Sequence, residues 1–429
     1  MHHEVNIAIP RSLRGMDLSS EAETGYRYHH EEVNAERSGV LSVQNVPAKS
    51  GLFFSVAPQT SMVLGDIQHI MESWAPREIA WERDNVGIQI GSPHQQIGKV
   101  IVCLDVTEDV VRDAIRRKAD LILSHHPLFF HPLRRIAPED RTGNLVTLLT
   151  QHHIAVYSAH TNLDFTSGGV SIALAKQLRL TGIGVLKKSE RLDKKVVVFV
   201  PPDYRDRVLS AMAQAGAGAI GHYESCSFGT EGIGTFTPVA GAKPFIGTVG
   251  TLERVHEVRL EMVVPSWRLG DVLRAMRSAH PYEEVAYDII DLANDRSDIG
   301  EGAVGTLPAA VSIRSFLSMV KKRLRVSALR FGQYRKKRIR RVAVCGGSGS
   351  DLLEHAIRHE ADAFVTADIR YHRFEEADRR ILLVDAGHFE TEIPVLRTMI
   401  QRLKSECRLR MHRVQIVPSS RMLNFVSYY

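Results

Sequence analysis

Uninterrupted apolar runs of four or five residues alternate along most of this chain with segments whose apolar positions recur every three or four residues. That is the pattern of strands buried on both faces exchanged with amphipathic helices. Lys99-Val-Ile-Val-Cys103 reads as a strand, a helix containing Ala114-Ile115-Arg116 follows, and Ala119-Asp120-Leu-Ile-Leu-Ser124 reads as the next strand. The succession returns without a gap 242 positions later, as Arg341-Val-Ala-Val-Cys345, Ala356-Ile357-Arg358 and Ala361-Asp362-Ala-Phe-Val-Thr366. Each copy runs on to another apolar strand, Ile154 to Tyr157 in the first and Ile381 to Val384 in the second. The pattern predicts an α/β fold: two pseudo-repeated α/β halves forming one core domain, with mostly parallel sheets covered on both faces.

Between the halves the periodicity changes. Strand-like Lys195 to Val200 leads into a helix over 203–215, and Val258 to Val264 leads into a helix over 267–279 followed by a strand over 284–291. Two such units in tandem predict an inserted ferredoxin-like α+β domain. The expected division is a leader over 1–61, a first core half over 62–189, the insert over 190–303 and a second core half over 304–429. Residues 1–61 show little periodicity and read as disordered, with Met62 a candidate natural start. Order is expected from Met62, where Ile67, Ile70, Met71 and Trp74 mark one helix face that Pro76 ends.

Composition narrows the classes. The 429 residues are 44% hydrophobic and 24% charged, as in an ordinary globular protein. No apolar run approaches the ~20 residues of a membrane span. Cys103, Cys226, Cys345 and Cys407 are scattered without a CxxC pair, and no signal peptide is visible, so a reducing cytoplasm is expected and a disulfide scaffold is not. The formal charge is +6, but twelve Lys and Arg and no acidic residue lie between Val311 and Ser350, so the remainder carries −6. This stretch could grip nucleic-acid phosphates. Phe316, Leu317, Met319, Val320 and Leu324 recur within it at helical spacing, however, so the solvated face of an amphipathic helix is the favoured reading.

Ligands of parallel sheets gather beyond the carboxyl ends of the strands. Three strand ends deliver imidazoles or carboxylates: Ser124-His125-His126-Pro127, then His160-Thr161-Asn162-Leu163-Asp164, then Asp385, His388, Glu390 and Glu392. A lone histidine at such a place is usually a cap or a surface residue, and the pairs His29-His30 and His152-His153 carry no signal of their own. Convergence of three ends does. His125, His126, Asp164, His388 and Glu392 exceed the ~3 protein ligands of one catalytic zinc and suit two divalent ions ~3.5–4 Å apart. A nitrogen and oxygen set without thiolate fits Zn, Mn, Fe, Co or Ni. His160 and Asp385 are expected to orient ligands or move protons, and Glu390 to lie outside the ligand set. Two glycine turns, Gly346 to Ser350 and Thr166 to Gly169, read either as anion-binding loops or as tight strand-to-helix turns.

Several stretches, taken in order, resemble the NIF-three-like family, whose members also carry the name GTP cyclohydrolase 1 type 2. They are Trp81-Glu-Arg-Asp84-Asn85-Val86-Gly87, Ser124 to Pro127, His160 to Asp164, Cys345-Gly-Gly-Ser-Gly349, Asp368 to His372 and Gly387-His388 to Glu392. Ala279 to Asp288 resembles the long form, which carries a PII-like or CutA-like insert. The resemblance covers residues 62–429 and implies a dinuclear metal site, ligands at the same five positions and a toroidal homohexamer. The expected function is metal-dependent hydrolysis of a small anionic or nucleotide-like substrate. The alternatives are a metal-containing regulatory protein without turnover and nucleic-acid binding through residues 314–341.

Overall fold

Strands that are apolar on both faces need cover on both, and the computed structural model, which describes residues 61–190 and 192–428, provides it twice. The leader expected over 1–61 falls, apart from Ser61, outside the described residues. In the first sheet Lys99–Cys103, Leu121–Ser124 and Ala155–Ser158 run parallel, flanked by Gln415–Pro418 and the antiparallel Gly87–Ile90. Val100, Val102, Leu121, Leu123 and Tyr157 point to helices Leu64–Trp74 and Pro394–Leu409. Ile101, Ile122 and Val156 point to the opposite layer, helices Glu108–Arg116 and Arg141–Gln151.

The second sheet repeats the plan. Arg338–Val344, Ala363–Thr366 and Leu382–Asp385 run parallel, with Val342, Val344, Ala363 and Val365 toward one helix layer and Ala343 and Phe364 toward the other. The correspondence extends to single hydrogen bonds. Asp120 Oδ2 accepts the N–H groups of Gly98 and Lys99 at 2.8 Å each; Asp362 Oδ2 accepts those of Arg340 and Arg341 at 2.9 and 3.0 Å. Lys99 Nζ donates to the Arg117 carbonyl and Arg341 Nε to that of His359, at 2.7 and 2.6 Å. Both helices end on a non-glycine residue in the left-handed region, Lys118 and Glu360.

The sheets also exchange strands. Thr181–Glu190 lies early in the chain but belongs to the second sheet, while Gln415–Pro418 lies late and belongs to the first. Helix Val170–Gln177 gives Val170 and Ala173 to one apolar cluster and Leu174 and Ala175 to another, so it is packed between the sheets.

Residues 193–291 form a separate antiparallel sheet in the order Ser227–Phe236, Glu253–Pro265, Asp193–Val200, Tyr287–Asp291, with helices Arg205–Gln214 and Leu269–Ala279 on one face. The chain there runs strand, helix, strand, strand, helix, strand. Ser227–Phe236 escapes a reading by apolar pattern because it holds Gly229, Gly232 and Gly234 and is almost wholly exposed. Asp295–Ser312 pairs with Thr181–Glu190 and with Arg338–Val344, so it passes through position 303 unbroken. Its register slips between Arg296 and Gly300, and such irregularity hides a strand from period-two patterning.

The basic stretch begins with helix Ile313–Leu324, N-capped by Ser312 Oγ, which buries Phe316, Val320 and Leu324. Lys336 is paired with Asp362 at 2.8 Å, and Arg338 donates to the Ala310 carbonyl. Several of its charges thus serve the fold. All four cysteines are free, and no described helix is long and apolar enough to cross a membrane.

Candidate metal centre

Each strand end that faces the junction of the two sheets carries part of one polar cluster. At the first, the His125 N–H bonds to the Cys103 carbonyl and the His126 N–H to that of Leu104, while Ser124 Oγ donates to the His126 carbonyl at 2.8 Å. The neighbouring rings are thereby splayed, with centroids 4.9 Å apart and planes at 42°. At the second, Asp84 clamps the turn: its Oδ2 accepts Thr161 N–H at 2.9 Å and its Oδ1 the His160 ring at 2.8 Å. Helix Thr161–Phe165 then carries Asp164 inward. At the third, Gly387 adopts φ +81° and opens helix His388–Glu392, whose four-residue spacing sets His388 Nε2 3.1 Å from Glu392 Oε1.

Glu392 is the centre of the cluster. It is buried, and its two oxygens approach three imidazoles: His125 Nε2 at 3.7 Å, His126 Nε2 at 3.0 Å and His388 Nε2 at 3.1 Å. Asp164 Oδ1 lies 3.7 Å from His125 Nε2. All five residues expected as ligands are therefore joined by contacts under 4 Å. His160 joins from the other side: the potential ligand atoms of His125, His126 and His160 lie within 4.8 Å of one another, as do those of His126, His388 and Glu392.

The histidines are pre-oriented. Each fixes its Nδ1 on an acceptor: His125 on the Ala159 carbonyl at 2.8 Å, His126 on Asp105 at 2.9 Å, His160 on Asp84 at 2.8 Å and His388 on Asp368 at 2.6 Å. A carbonyl can only accept, so His125 holds its proton on Nδ1 and turns a bare Nε2 lone pair to the cluster. This is how metal-binding imidazoles are held. His125 Nε2 is moreover buried with no hydrogen-bond partner, 3.7 Å from carboxylate oxygens of both Asp164 and Glu392. Such an orphaned atom is costly in a core without a cation beside it, so the residues fit a metal site.

The acid–base properties follow from crowding. Burial, and then Glu392 against the opposing pull of the histidines, pushes the Asp164 carboxyl up to about 7, although its side chain is 27% open to the adjoining cavity. His126 rises to about 10 and His388 to about 9, because nearby carboxylates outweigh a burial that by itself would lower both. Glu392 is held well below the usual carboxylate range: burial opposes, but the three imidazoles prevail. Burial pushes the Cys345 thiol beside the cluster up to about 12, so it is protonated in the metal-free protein.

Asp385, expected to orient ligands or move protons, sits behind His388. Its Oδ2 accepts Ile369 N–H at 3.1 Å and Arg330 Nη1 at 3.2 Å, and its Oδ1 accepts Gly387 N–H at 3.2 Å. Both oxygens are spent on shaping the loop that delivers His388. Glu390 is buried rather than exposed and accepts Asn424 at 2.9 Å. In the Gly346 to Ser350 turn three amides are already taken: the N–H groups of Gly346, Gly347 and Gly349 go to Ser171, Thr391 and Thr366 hydroxyls. Its glycine is needed for closeness, since a Cβ on Gly347, at φ +63°, would stand 2.3 Å from Glu392 Oε1. The Thr166 to Gly169 turn is likewise tight, with a Cβ on Gly169 falling 1.9 Å from the Leu163 carbonyl oxygen.

Sequence pattern assigns no role to Asp84, Asp105 or Asp368, yet these carboxylates orient His160, His126 and His388. Asp105 and Asp368 each follow a central strand by two residues, so a search for polar residues at all strand ends, including Lys99–Cys103 and Ala363–Thr366, finds both.

Fold and cluster together define an α/β protein with a candidate metal centre of imidazoles and carboxylates where two sheets meet. The family model Duf34/NIF3 (NGG1p interacting factor 3) matches residues 62–423, and the chain belongs to that family. It is 41% identical over 355 residues to the GTP cyclohydrolase 1 type 2 homolog of Bacillus subtilis (strain 168), covering 82% of this chain and 95% of the relative. The protein of the same name from Halalkalibacterium halodurans is 39% identical over 353 residues, with the same coverage. Among solved structures, a Bacillus cereus protein related to NIF3 aligns with TM-score 0.77 at 36% identity, covering 86% of this chain and all of that one.

Proposed function

We propose that the chain holds two divalent metal ions and hydrolyses a small anionic or nucleotide-like substrate. The observation that carries the reading is the Glu392 carboxylate, buried among three imidazole Nε2 atoms at 3.0–3.7 Å, two of which face it with their proton sites fixed by carboxylates. His125, His126, Asp164, His388 and Glu392 would hold the ions. The nitrogen and oxygen donors suit Zn, Mn, Fe, Co or Ni. When bound, such ions act as Lewis acids and bring the pKa of water toward neutrality. His160, its Nδ1 proton held by Asp84, lines the cavity of about 170 Å³ beside the cluster, and its Nε2 is the atom placed to accept a proton there. The reading includes a homohexamer, by resemblance, two core halves related by internal repeat, and a ferredoxin-like, PII- or CutA-like insert within 190–303, at 193–291, whose strand order supports it.

One observation favours a metal-bearing regulatory protein without turnover. The cavity beside the cluster is lined by Asp164, Glu301, Asp351 and Glu392 and by no Lys or Arg, so only the metals would offset an anionic substrate. Elemental analysis of untagged protein purified without chelator decides the metal question: about two ions per chain are expected, lost on His125→Ala, and a metal-free preparation refutes the reading. Turnover of a nucleotide and phosphoester panel by metal-loaded protein, abolished by His125→Ala, separates the enzyme from the regulator.

A further inference from the structure

A cavity of about 480 Å³ lies away from the metal centre, within residues 193–291. That is the size of a small-molecule site. It opens where the segment after Ser227–Phe236 folds back over the sheet. Tyr282 stands at its centre, with Phe236 at 6.3 Å and Phe245 at 6.2 Å between ring centroids, their planes inclined at 58° and 46° to it. Phe245 is half exposed and also meets the Tyr204 ring edge-on at 5.6 Å. The rings thus form an open three-sided cage rather than a closed core.

The charge of the lining is one-sided. Glu257, Glu283 and Glu284 line the cavity, and no Lys, Arg or His does. Glu283 Oε1 is occupied by the Lys243 N–H at 2.7 Å. Glu257 is in no ion pair among the described residues, although Lys and Arg outnumber acidic residues in the chain. Its carboxylate lies across Gly234, where a Cβ would come within 2.1 Å of Oε2, so the glycine leaves it room. The Tyr282 hydroxyl is buried beside Glu257, and burial together with that carboxylate pushes it above the ordinary phenol range.

We infer that this cavity binds a small organic cation, an alkylated or aromatic amine. The faces of Phe236, Phe245 and Tyr282 would receive its charge through their ring quadrupoles, and Glu257, beside the Tyr282 hydroxyl, would neutralise it. A largely apolar lining disfavours small inorganic cations, and the three carboxylates disfavour anions. The site is independent of the metal centre, with which its lining shares no residue.

The test is calorimetric titration of the full chain with benzyltrimethylammonium, a permanent aromatic cation, and with phenylacetate, an anion of similar size. Saturable binding of the first and none of the second is expected. Glu257→Gln and Phe245→Ala should each weaken it by about ten-fold or more. Gly234→Ala, which displaces the carboxylate without touching a ring, should do the same, and circular dichroism and bound metal content should stay unchanged in all three. Absence of binding, equal binding of phenylacetate, or a Glu257→Gln protein that binds as before would overturn the assignment.

Discussion

Asp105→Asn tests whether the cluster is a metal centre whose ligands are aimed from outside. Asp105 touches neither Glu392 nor Asp164; it accepts the Nδ1 proton of His126 at 2.9 Å and so turns Nε2 toward Glu392, 3.0 Å away. Asparagine keeps the shape and removes the charge. If its carbonyl faces the ring, the bond survives as a neutral one; if its NH₂ does, the proton is driven to Nε2 and the lone pair is lost to a metal. A hydrogen bond to a charged partner contributes about 1.5–3 kcal/mol. Asp105 is 32% exposed, and solvent screening places the loss near the lower end, about 1.5 kcal/mol or ten-fold in metal affinity. Competition of Zn or Mn binding against a chelator of known affinity measures it. Asp113→Asn is the control: this carboxylate fastens the C-terminal Ser419 and Ser420 at 3.0 and 3.1 Å, so its loss should reduce stability and leave metal affinity intact. An Asp105→Asn protein whose affinity stays within about two-fold of the wild type refutes the orienting role.

Two further outcomes follow from the same geometry. In metal-free protein, Asp164 is raised from 3.8 to about 7, His126 from 6.5 to about 10 and His388 from 6.5 to about 9. A group raised on folding stabilises fully below its unfolded pKa, and that contribution is lost as pH climbs through the folded value. Chelator-treated protein should therefore lose stability in urea between pH 4 and 10, chiefly above 6.5, while stabilisation by added metal grows over the same range; a flat or opposite trend would contradict the assigned shifts. Gly347→Ala should cost about 1 kcal/mol from the left-handed backbone and, by displacing Glu392, weaken metal binding by about ten-fold or more. Unchanged metal affinity in that variant would show that Glu392 is not held where its role requires.

The sequence alone determined the alternation of buried strands and helices, the repeat at 242 residues and the five residues that the fold links through Glu392 and His125. These were legible because a strand buried on both faces must be apolar throughout, and because polar residues directly after such strands lie at the carboxyl edge whatever the details of the fold. Asp120 and Asp362 were visible only as matching letters, and that each receives two strand N–H groups needed coordinates. Tertiary structure decided the rest: the exchange of Thr181–Glu190 and Gln415–Pro418 between the sheets, the turning of four imidazoles by three carboxylates and one carbonyl, and the diversion of Asp385 to a loop. These depend on pairs separated by up to several hundred residues. Local propensity cannot distinguish which of many aspartates will stand beside which ring, because the free energy that selects the pairing comes from packing the two sheets on their shared helices rather than from any one segment.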